Sequence, residues 1–149
     1  MISVVIEAGD DAKALARLLT ALVPAAAEGL VRDVLVRGAS GLAAEVVEDA
    51  GATTLGPGDD VAKIARGDWL CGLPLGARLR RDWMELVAAH LATDPPTPAR
   101  LTGQAGAFGL GGRLEGWLVP RAASAGAVEQ DLQRLARRRG RRLRVLGGR

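Results

Sequence analysis

Residues 65–79 read Ala65-Arg66-Gly67-Asp68-Trp69-Leu70-Cys71-Gly72-Leu73-Pro74-Leu75-Gly76-Ala77-Arg78-Leu79, and they indicate the class of fold. A short apolar run from Trp69 to Leu73 follows a Gly-Asp turn and is stopped by Pro74 and Gly76, which predicts a buried strand that leads into a loop. In an open α/β sheet, ligands bind beyond the carboxyl ends of such strands. The loop after this strand has no side chain that can bind a metal, move a proton or act as a nucleophile.

The sequence before this segment alternates between strand and helix patterns. Apolar and β-branched runs predict strands at residues 2–6, 31–36 and 52–55. Of the helices between them, the first is expected to end or loosen at Pro24, and the second to be capped by Ser40 and to bury Leu42. Four strands and three helices within about 75 residues predict βαβ units and a mainly parallel sheet.

The rest of the chain predicts fewer helices and an added strand pair. An amphipathic helix pattern covers residues 83–91, and a Pro-rich connection follows it. Residues 100–110 and 113–119 are predicted to pair as strands across the glycines at 111–112. A last helix is predicted from about residue 124 to residue 139, followed by a short terminal strand.

Composition indicates a folded, soluble domain. Hydrophobic residues make up 48% of the 149-residue chain, no apolar run approaches the ~20 residues of a membrane span, and the first residues lack the features of a signal peptide. The single cysteine, Cys71, excludes an internal disulfide and favours a reducing compartment, so we expect a cytoplasmic protein. Charge is uneven, because seventeen acidic and twelve basic residues up to Asp131 give a net −5 and eight arginines beyond it give +8.

Five segments carry a resemblance to a known family. They are Ile2-Ser3-Val4-Val5-Ile6, Gly29-Leu30-Val31-Arg32-Asp33-Val34-Leu35-Val36, Ala43-Ala44-Glu45-Val46-Val47-Glu48-Asp49-Ala50-Gly51-Ala52, Ala65-Arg66-Gly67-Asp68-Trp69-Leu70 and Gly116-Trp117-Leu118-Val119-Pro120-Arg121. In this order and spacing they resemble the bacterial family-2 glycosyltransferases of the GT-A fold.

The resemblance implies a single-domain α/β fold with a mainly parallel sheet flanked by helices. It would be the nucleotide-diphospho-sugar transferase (GT-A, Rossmann-like) fold, truncated in the acceptor region. Residues 1–79 would form the nucleotide-binding type of βα half, and residues 80–149 a shortened acceptor-type half with an Arg-rich C-terminus.

The same resemblance places nucleotide-binding residues after the first two strands. The matching positions hold Ala8, Asp10, Asp11, Arg37, Gly38 and Ser40. Arg37 stands nearest to the family's aspartate that hydrogen-bonds uracil or an equivalent base. The residues alone leave alternatives open, because adjacent aspartates also favour a helix start and a Gly-Ser loop is either a phosphate cradle or an ordinary turn.

Two further parts of the family's machinery are altered. The family's metal-binding Asp-x-Asp is replaced by Pro74, Leu75 and Gly76, and because hard cations need oxygen ligands we expect no metal cofactor where the family uses Mg²⁺ or Mn²⁺. The family's base is a carboxylate near the start of the last helix, where this chain has Glu129 followed by an amide. The resemblance therefore makes Glu129 and Asp131 the candidate catalytic residues.

Because the nucleotide-binding, metal-binding and base positions of the family are all altered, we expect a glycosyltransferase-like protein that is catalytically impaired or inactive. It would retain nucleotide-sugar binding or act as the partner of an active enzyme. One alternative is a metal-independent transferase in which Arg37, Arg78 or Arg80 neutralises the diphosphate. Another is a module that binds an anionic membrane, or less readily nucleic acid, through the eight arginines from Arg134 to Arg149. The shortened acceptor region also predicts a homo-oligomer, because it leaves sheet surface uncovered.

Overall fold

The computed structural model describes residues 1–104 and 113–147. The strands are β1 (Ile2–Glu7), β2 (Val31–Arg37), β3 (Thr53–Leu55), β4 (Trp69–Leu73), β5 (Ala99–Gln104), β6 (Arg113–Pro120) and β7 (Arg141–Leu143). The helices are α1 (Ala12–Ala27), α2 (Leu42–Asp49), α3 (Val61–Ile64), α4 (Trp83–Leu91) and α5 (Glu129–Arg139), with a 3-10 turn at Arg121–Ala123.

The strands form one seven-stranded sheet in the order β3-β2-β1-β4-β6-β5-β7. Neighbours are parallel throughout β3, β2, β1 and β4, and β7 is parallel to β5. Only β6 runs against its neighbours. The predicted mainly parallel sheet is thus confirmed, and the carboxyl ends of β1, β2 and β4 lie along one edge, which we call the carboxyl edge.

Helices cover both faces of the sheet. The larger core lies between the sheet and α1, α2 and α4, where Leu15, Leu18 and Val87 are buried. The smaller core, on the other face, lies beneath α3 and α5 and includes Leu35 and Leu132. Each fully buried leucine contributes about 1.5–3 kcal/mol through the hydrophobic effect, so the smaller core holds α5 against the sheet.

β4, which corresponds to the buried strand predicted at Trp69–Leu73, is held by close backbone packing. Gly67, just before it, donates its amide to the buried Ser3 hydroxyl at 2.8 Å, and that hydroxyl in turn donates to Asp33 of β2. A side chain at Gly67 would strike the backbone of β1, and one at Gly72 would overlap the indole ring of Trp117 on β6. These contacts explain why glycines stand in and before a fully buried strand.

Several local expectations are corrected. Pro24 lies inside α1, which continues to Ala27. The N-cap residue of α2 is Gly41 and not Ser40, and no side chain caps that helix, while Leu42 is 68% exposed. The last helix begins only at Glu129, because residues 124–128, which follow a 3-10 turn at Arg121–Ala123, form a turn and extended backbone. Each error concerns a helix end, where sequence signals are weakest.

The predicted strand pair is present as β5 and β6, antiparallel and in register from Ala99–Leu118 to Gln104–Arg113. The end of the first predicted strand and the predicted glycine turn, residues 105–112, lie outside the described residues. Within the described part of the chain, no helix is both long and apolar enough to cross a membrane.

Candidate functional site

The loops after β1 and β2 are joined to each other by backbone hydrogen bonds. The amide of Ala8 donates to the carbonyl of Arg37 at 2.8 Å, and the amide of Ser40 donates to the carbonyl of Gly9 at 3.1 Å. Gly38 has φ +76°, and a side chain there would press on the carbonyl of Ala8. The predicted nucleotide-binding residues are therefore brought together at the carboxyl edge.

The acidic residues of this region begin helices. Asp11 accepts a hydrogen bond from the amide of Ala14 at 3.0 Å and caps α1, while the exposed Asp10 accepts from Ala12 through its carbonyl. Asp60 caps α3 in the same way, through the amide of Ala62 at 3.0 Å. Capping accounts for Asp11 and Asp60 without a bound cation.

Ser40 has a different role from the predicted one. Its backbone carbonyl accepts the amide of Ala43, and its side chain is exposed and caps nothing. No side chain caps α2, whose N-cap residue is Gly41, and the amides of Ala43 and Ala44 donate to the carbonyls of Ser40 and Gly41 at 3.1 Å. The loop is therefore a closed backbone turn at the start of a helix, and its role as a phosphate cradle stays a prediction.

The side chain of Arg37, at the end of β2, is held by three oxygen atoms. Its Nε donates to Oε1 of Glu129 at 2.6 Å, its Nη2 donates to the carbonyl of Asp59 at 2.9 Å, and its Nη1 donates to the carbonyl of Gly56. A guanidinium has donors only, so Arg37 cannot accept the base N–H groups that an aspartate would accept. All three of its nitrogens are engaged within the protein.

Glu129 begins α5 and lies against the end of β2. Its side chain is 11% exposed, and that of Arg37 is 21% exposed, so the ion pair is largely shielded from water. The preceding loop is fixed to α3, because the amide of Gly126 donates to Asp60 at 3.2 Å. Asp131, two residues further along α5, is 54% exposed and pairs with Arg134 at 3.6 Å, away from Arg37 and Glu129. Of the two candidate catalytic residues, only Glu129 therefore lies at the carboxyl edge.

The sequence did not predict the ion pair between Arg37 and Glu129. Arg37 and Glu129 are 92 positions apart, and each was assigned a separate role. The turn at Gly56–Asp59, which supplies two carbonyls to the guanidinium, was interpreted only as the start of a helix. A usable signal was present, since an arginine at the end of a buried strand needs an acidic partner.

The carboxyl end of β4 carries the three residues that replace the family's metal motif. Ile6 of β1 lies in register with Leu73, and Pro74, Leu75 and Gly76 follow directly. Leu75 packs on the larger core, and Gly76 faces open space. None of the three offers a side-chain oxygen, and the residues that the structure describes contain no cluster of three His, Cys, Asp or Glu suited to a metal ion.

Two other ionisable groups are shifted by their surroundings. Hydrogen bonding and charge from Arg137 of α5, together with the charge of Arg100 on β5, hold the pKa of Glu115 below its usual value. Burial raises the pKa of the Cys71 thiol to about 12. Glu115 therefore ties α5 to the sheet as a carboxylate, and Cys71 is an inert core residue, as the sequence indicated.

A groove of about 520 Å³ lies between α1, α2 and the start of β2. Its lining includes Leu19, Val23 and Val46 and none of the predicted site residues. Since it opens beside the helices and contains few groups able to do chemistry, we place the candidate site at the carboxyl edge and not in this groove.

Comparisons with solved structures identify the fold. Glucosyl-3-phosphoglycerate synthase from Mycobacterium tuberculosis, in complex with Mn²⁺, uridine-diphosphate-glucose and phosphoglyceric acid, aligns with a TM-score of 0.66 and 15% identity over 100% of this chain and 72% of that one. Mannosyl-3-phosphoglycerate synthase from Rubrobacter xylanophilus aligns with a TM-score of 0.67 and 11% identity over 95% of this chain and 64% of that one. A complex of the mycobacterial enzyme with Mn²⁺, uridine diphosphate and phosphoglyceric acid aligns with a TM-score of 0.52 and 17% identity, over 66% of this chain and 42% of that one.

These similarities confirm the GT-A fold that the sequence resemblance implied. Because identities lie between 11% and 17%, they establish the fold alone. The chain spans between 42% and 72% of the length of these solved chains, so it is truncated relative to them. No protein-family model matches the sequence, and no curated protein matches it significantly.

The expectation of no metal cofactor is corrected by the same comparisons. Solved structures of this fold are complexes with Mn²⁺ or Mg²⁺ and uridine diphosphate. The expectation was drawn from one sequence motif, and it is contradicted by the metal-using proteins that share the fold.

Proposed function

We propose that this chain is a glycosyltransferase-like protein that binds a nucleoside diphosphate or nucleotide sugar at the carboxyl edge and transfers sugar weakly or not at all. The GT-A fold supports a nucleotide ligand, because solved proteins of this fold hold uridine diphosphate and uridine-diphosphate-glucose. The joined loops at Ala8 and Gly38–Ser40, with the uncapped start of α2, support the place of the diphosphate.

The observation that carries the proposed loss of transfer is the ion pair between Glu129 and Arg37. A general base must come within about 2.6–3.2 Å of the acceptor hydroxyl. Oε1 of Glu129 already accepts from Nε of Arg37 at 2.6 Å, so the ion pair sets the orientation of this carboxylate, whose side chain is 11% exposed. The other acidic residue of that turn, Asp131, faces solvent and pairs with Arg134. We infer that neither carboxylate activates an acceptor hydroxyl.

Solved complexes of this fold contain Mn²⁺ or Mg²⁺ together with uridine diphosphate. A divalent cation would therefore reach the proposed site together with the diphosphate ligand. The side chains after β4 do not fit such an ion, because Pro74, Leu75 and Gly76 have no oxygen ligand. The binding experiment includes Mn²⁺ so that an ion held by the ligand itself is available.

Isothermal titration with uridine diphosphate, in buffer containing Mn²⁺, tests the proposed site. We expect a binding heat, and we expect Ser40→Asp to weaken the affinity by about tenfold, because a carboxylate at that exposed position repels the diphosphate. Ala88→Asp is the matched control, since it adds the same charge on an exposed position of α4. Its affinity should equal that of the unmodified protein.

Titration with uridine-diphosphate-glucose and phosphoglyceric acid tests the second half of the proposal. The expected trace shows a binding heat and no continuing heat of reaction. No binding heat at millimolar ligand, or an equal loss of affinity in both aspartate variants, would overturn the assigned site. Sustained heat from turnover would overturn the assigned loss of transfer.

A further inference from the structure

The basic C-terminal segment is joined to a second basic segment that follows β4. The amide of Gly147 donates to the carbonyl of Arg78 at 2.7 Å, and the amide of Arg80 donates to the carbonyl of Val145 at 2.9 Å. Leu79 and Leu146 form an antiparallel bridge between these bonds. Both segments follow the carboxyl ends of parallel-running strands, so they meet at the carboxyl edge, beyond β5.

Five exposed arginines lie in the two joined segments and on β7, the strand that leads into the second of them. We call them the basic edge surface, and they are Arg78, Arg81, Arg141, Arg142 and Arg144. Among the described residues, none of the five forms an ion pair. Within residues 78–82 and 141–147 there is one carboxylate, and it is held by the side chain of Arg80 through two hydrogen bonds of 3.1 Å.

Two arginines of the basic run from Arg134 to Arg149 are engaged in ion pairs. Arg134 pairs with Asp131, and Arg137 pairs with Glu115 at 2.8 Å. Arg149 lies outside the described residues. Five C-terminal arginines are exposed and lie outside the ion pairs of the described residues: Arg138 and Arg139 at the end of α5, and Arg141, Arg142 and Arg144 of the basic edge surface. Residues 1–131 as a whole carry a net −5.

Protection of a sheet edge accounts for only part of this charge. β7 is an edge strand, and arginines at Arg141 and Arg142 discourage pairing with another chain. Arg78 and Arg81 are not on a strand of that edge, so edge protection does not explain them. A surface built from two chain segments with the same charge points to a ligand that carries many negative charges.

We propose that the basic edge surface docks this protein on a membrane containing anionic phospholipids. Guanidinium groups pair with phosphate oxygens in a two-pronged geometry, and a bilayer presents many such groups in a plane. The five cations belong to two joined segments and the edge strand β7, so more than one headgroup can pair with them. All three tryptophans are buried, so they offer no stacking platform for nucleic-acid bases.

Co-sedimentation with lipid vesicles tests the proposal on the full chain. We expect binding to vesicles of phosphatidylcholine with about 30% phosphatidylglycerol, none to pure phosphatidylcholine, and release when salt is raised, because the attraction is electrostatic. The variant R78E/R81E/R144E should bind at least about 100-fold more weakly, since each lost arginine near the surface costs about fivefold.

The matched control is R17E/R32E/R66E, which makes the same change in net charge at three exposed arginines outside the basic edge surface. It should bind vesicles within threefold of the unmodified protein. If the glutamate variant does not fold, as judged by tryptophan fluorescence, R78Q/R81Q/R144Q replaces it and should lose most of the binding.

Three results would overturn the proposal. They are failure to bind the anionic vesicles at low salt, an equal loss in the control variant, and tighter binding to a single-stranded oligonucleotide than to the vesicles. The last result would assign the surface to nucleic acid. None of them bears on nucleotide binding at Ser40, so this proposal and the proposed function fail independently.

Discussion

The ion pair between Arg37 and Glu129 makes a measurable contribution to stability. In Glu129→Gln, an arginine that is 21% exposed keeps two backbone carbonyl partners and loses its only anionic one. Hydrogen bonds to charged groups contribute about 1.5–3 kcal/mol, and breaking a fully buried pair costs about 3–5 kcal/mol. Because this pair retains some exposure to water, we expect a loss of about 2 kcal/mol in the free energy of unfolding.

For a chain of 149 residues, that loss lowers the melting temperature by about 4–8 °C. Urea unfolding followed by tryptophan fluorescence measures the loss in the free energy of unfolding, since Trp69, Trp83 and Trp117 are all buried in the core. Arg37→Met and the double variant complete a double-mutant cycle, with an expected coupling of about 1–2 kcal/mol.

Asp131→Asn is the matched control for this measurement. It makes the same carboxylate-to-amide change in the first turn of the same helix, so any effect of the helix dipole is shared. The Asp131–Arg134 pair is exposed, and its loss should cost at most about 0.5 kcal/mol. Equal costs for the two variants, or a coupling near zero, would refute the view that Glu129 is committed to Arg37.

Three further predictions concern the sheet and its attachments. Gly72→Ala should destabilise the protein by about 3 kcal/mol or more, because its methyl group overlaps an indole ring across the sheet, whereas Gly76→Ala, in open space, should cost under about 1 kcal/mol in the same urea assay. The pKa of Glu115 is lowered in the folded state, so its contribution to stability is present above its unfolded pKa of about 4.3 and is lost as pH falls through the lower folded value. Glu115→Gln should therefore reduce the loss of unfolding free energy over this acidic pH range, and an unchanged pH dependence would contradict the assignment. Cys71, with a pKa raised to about 12 and no exposure, should react with a disulfide reagent at about pH 8 only after unfolding, and rapid labelling of the native protein would contradict its burial.

Most of the fold could be predicted because the apolar pattern of the first half is unambiguous. The runs at Ile2–Ile6, which is apolar except for Ser3, and at Trp69–Leu73 are short, as strands buried on both faces require. Helix ends were predicted less well, because they depend on single contacts. Pro24 was expected to end α1, yet the helix continues for three residues beyond it to Ala27, so the missing N–H removes one hydrogen bond near the helix end without ending the helix.

The parallel strands β1 and β2 bring the loops that follow them to one edge of the sheet, as a mainly parallel sheet requires. An acidic partner for Arg37 could be expected from the sequence, but its identity as Glu129 could not be inferred, because the contact depends on how α5 crosses the sheet. The basic edge surface was equally hidden, since it depends on a backbone bridge between Leu79 and Leu146.

The most direct test of the account is the rate at which uridine diphosphate is released from uridine-diphosphate-glucose, compared between the unmodified protein, Glu129→Gln and Asp131→Asn. The account predicts that Glu129→Gln changes any residual rate by less than twofold, because a carboxylate bound to Arg37 at 2.6 Å does not act as the base. A fall of about 100-fold or more in Glu129→Gln, with Asp131→Asn unaffected, would show that Glu129 is a working base and would contradict the account.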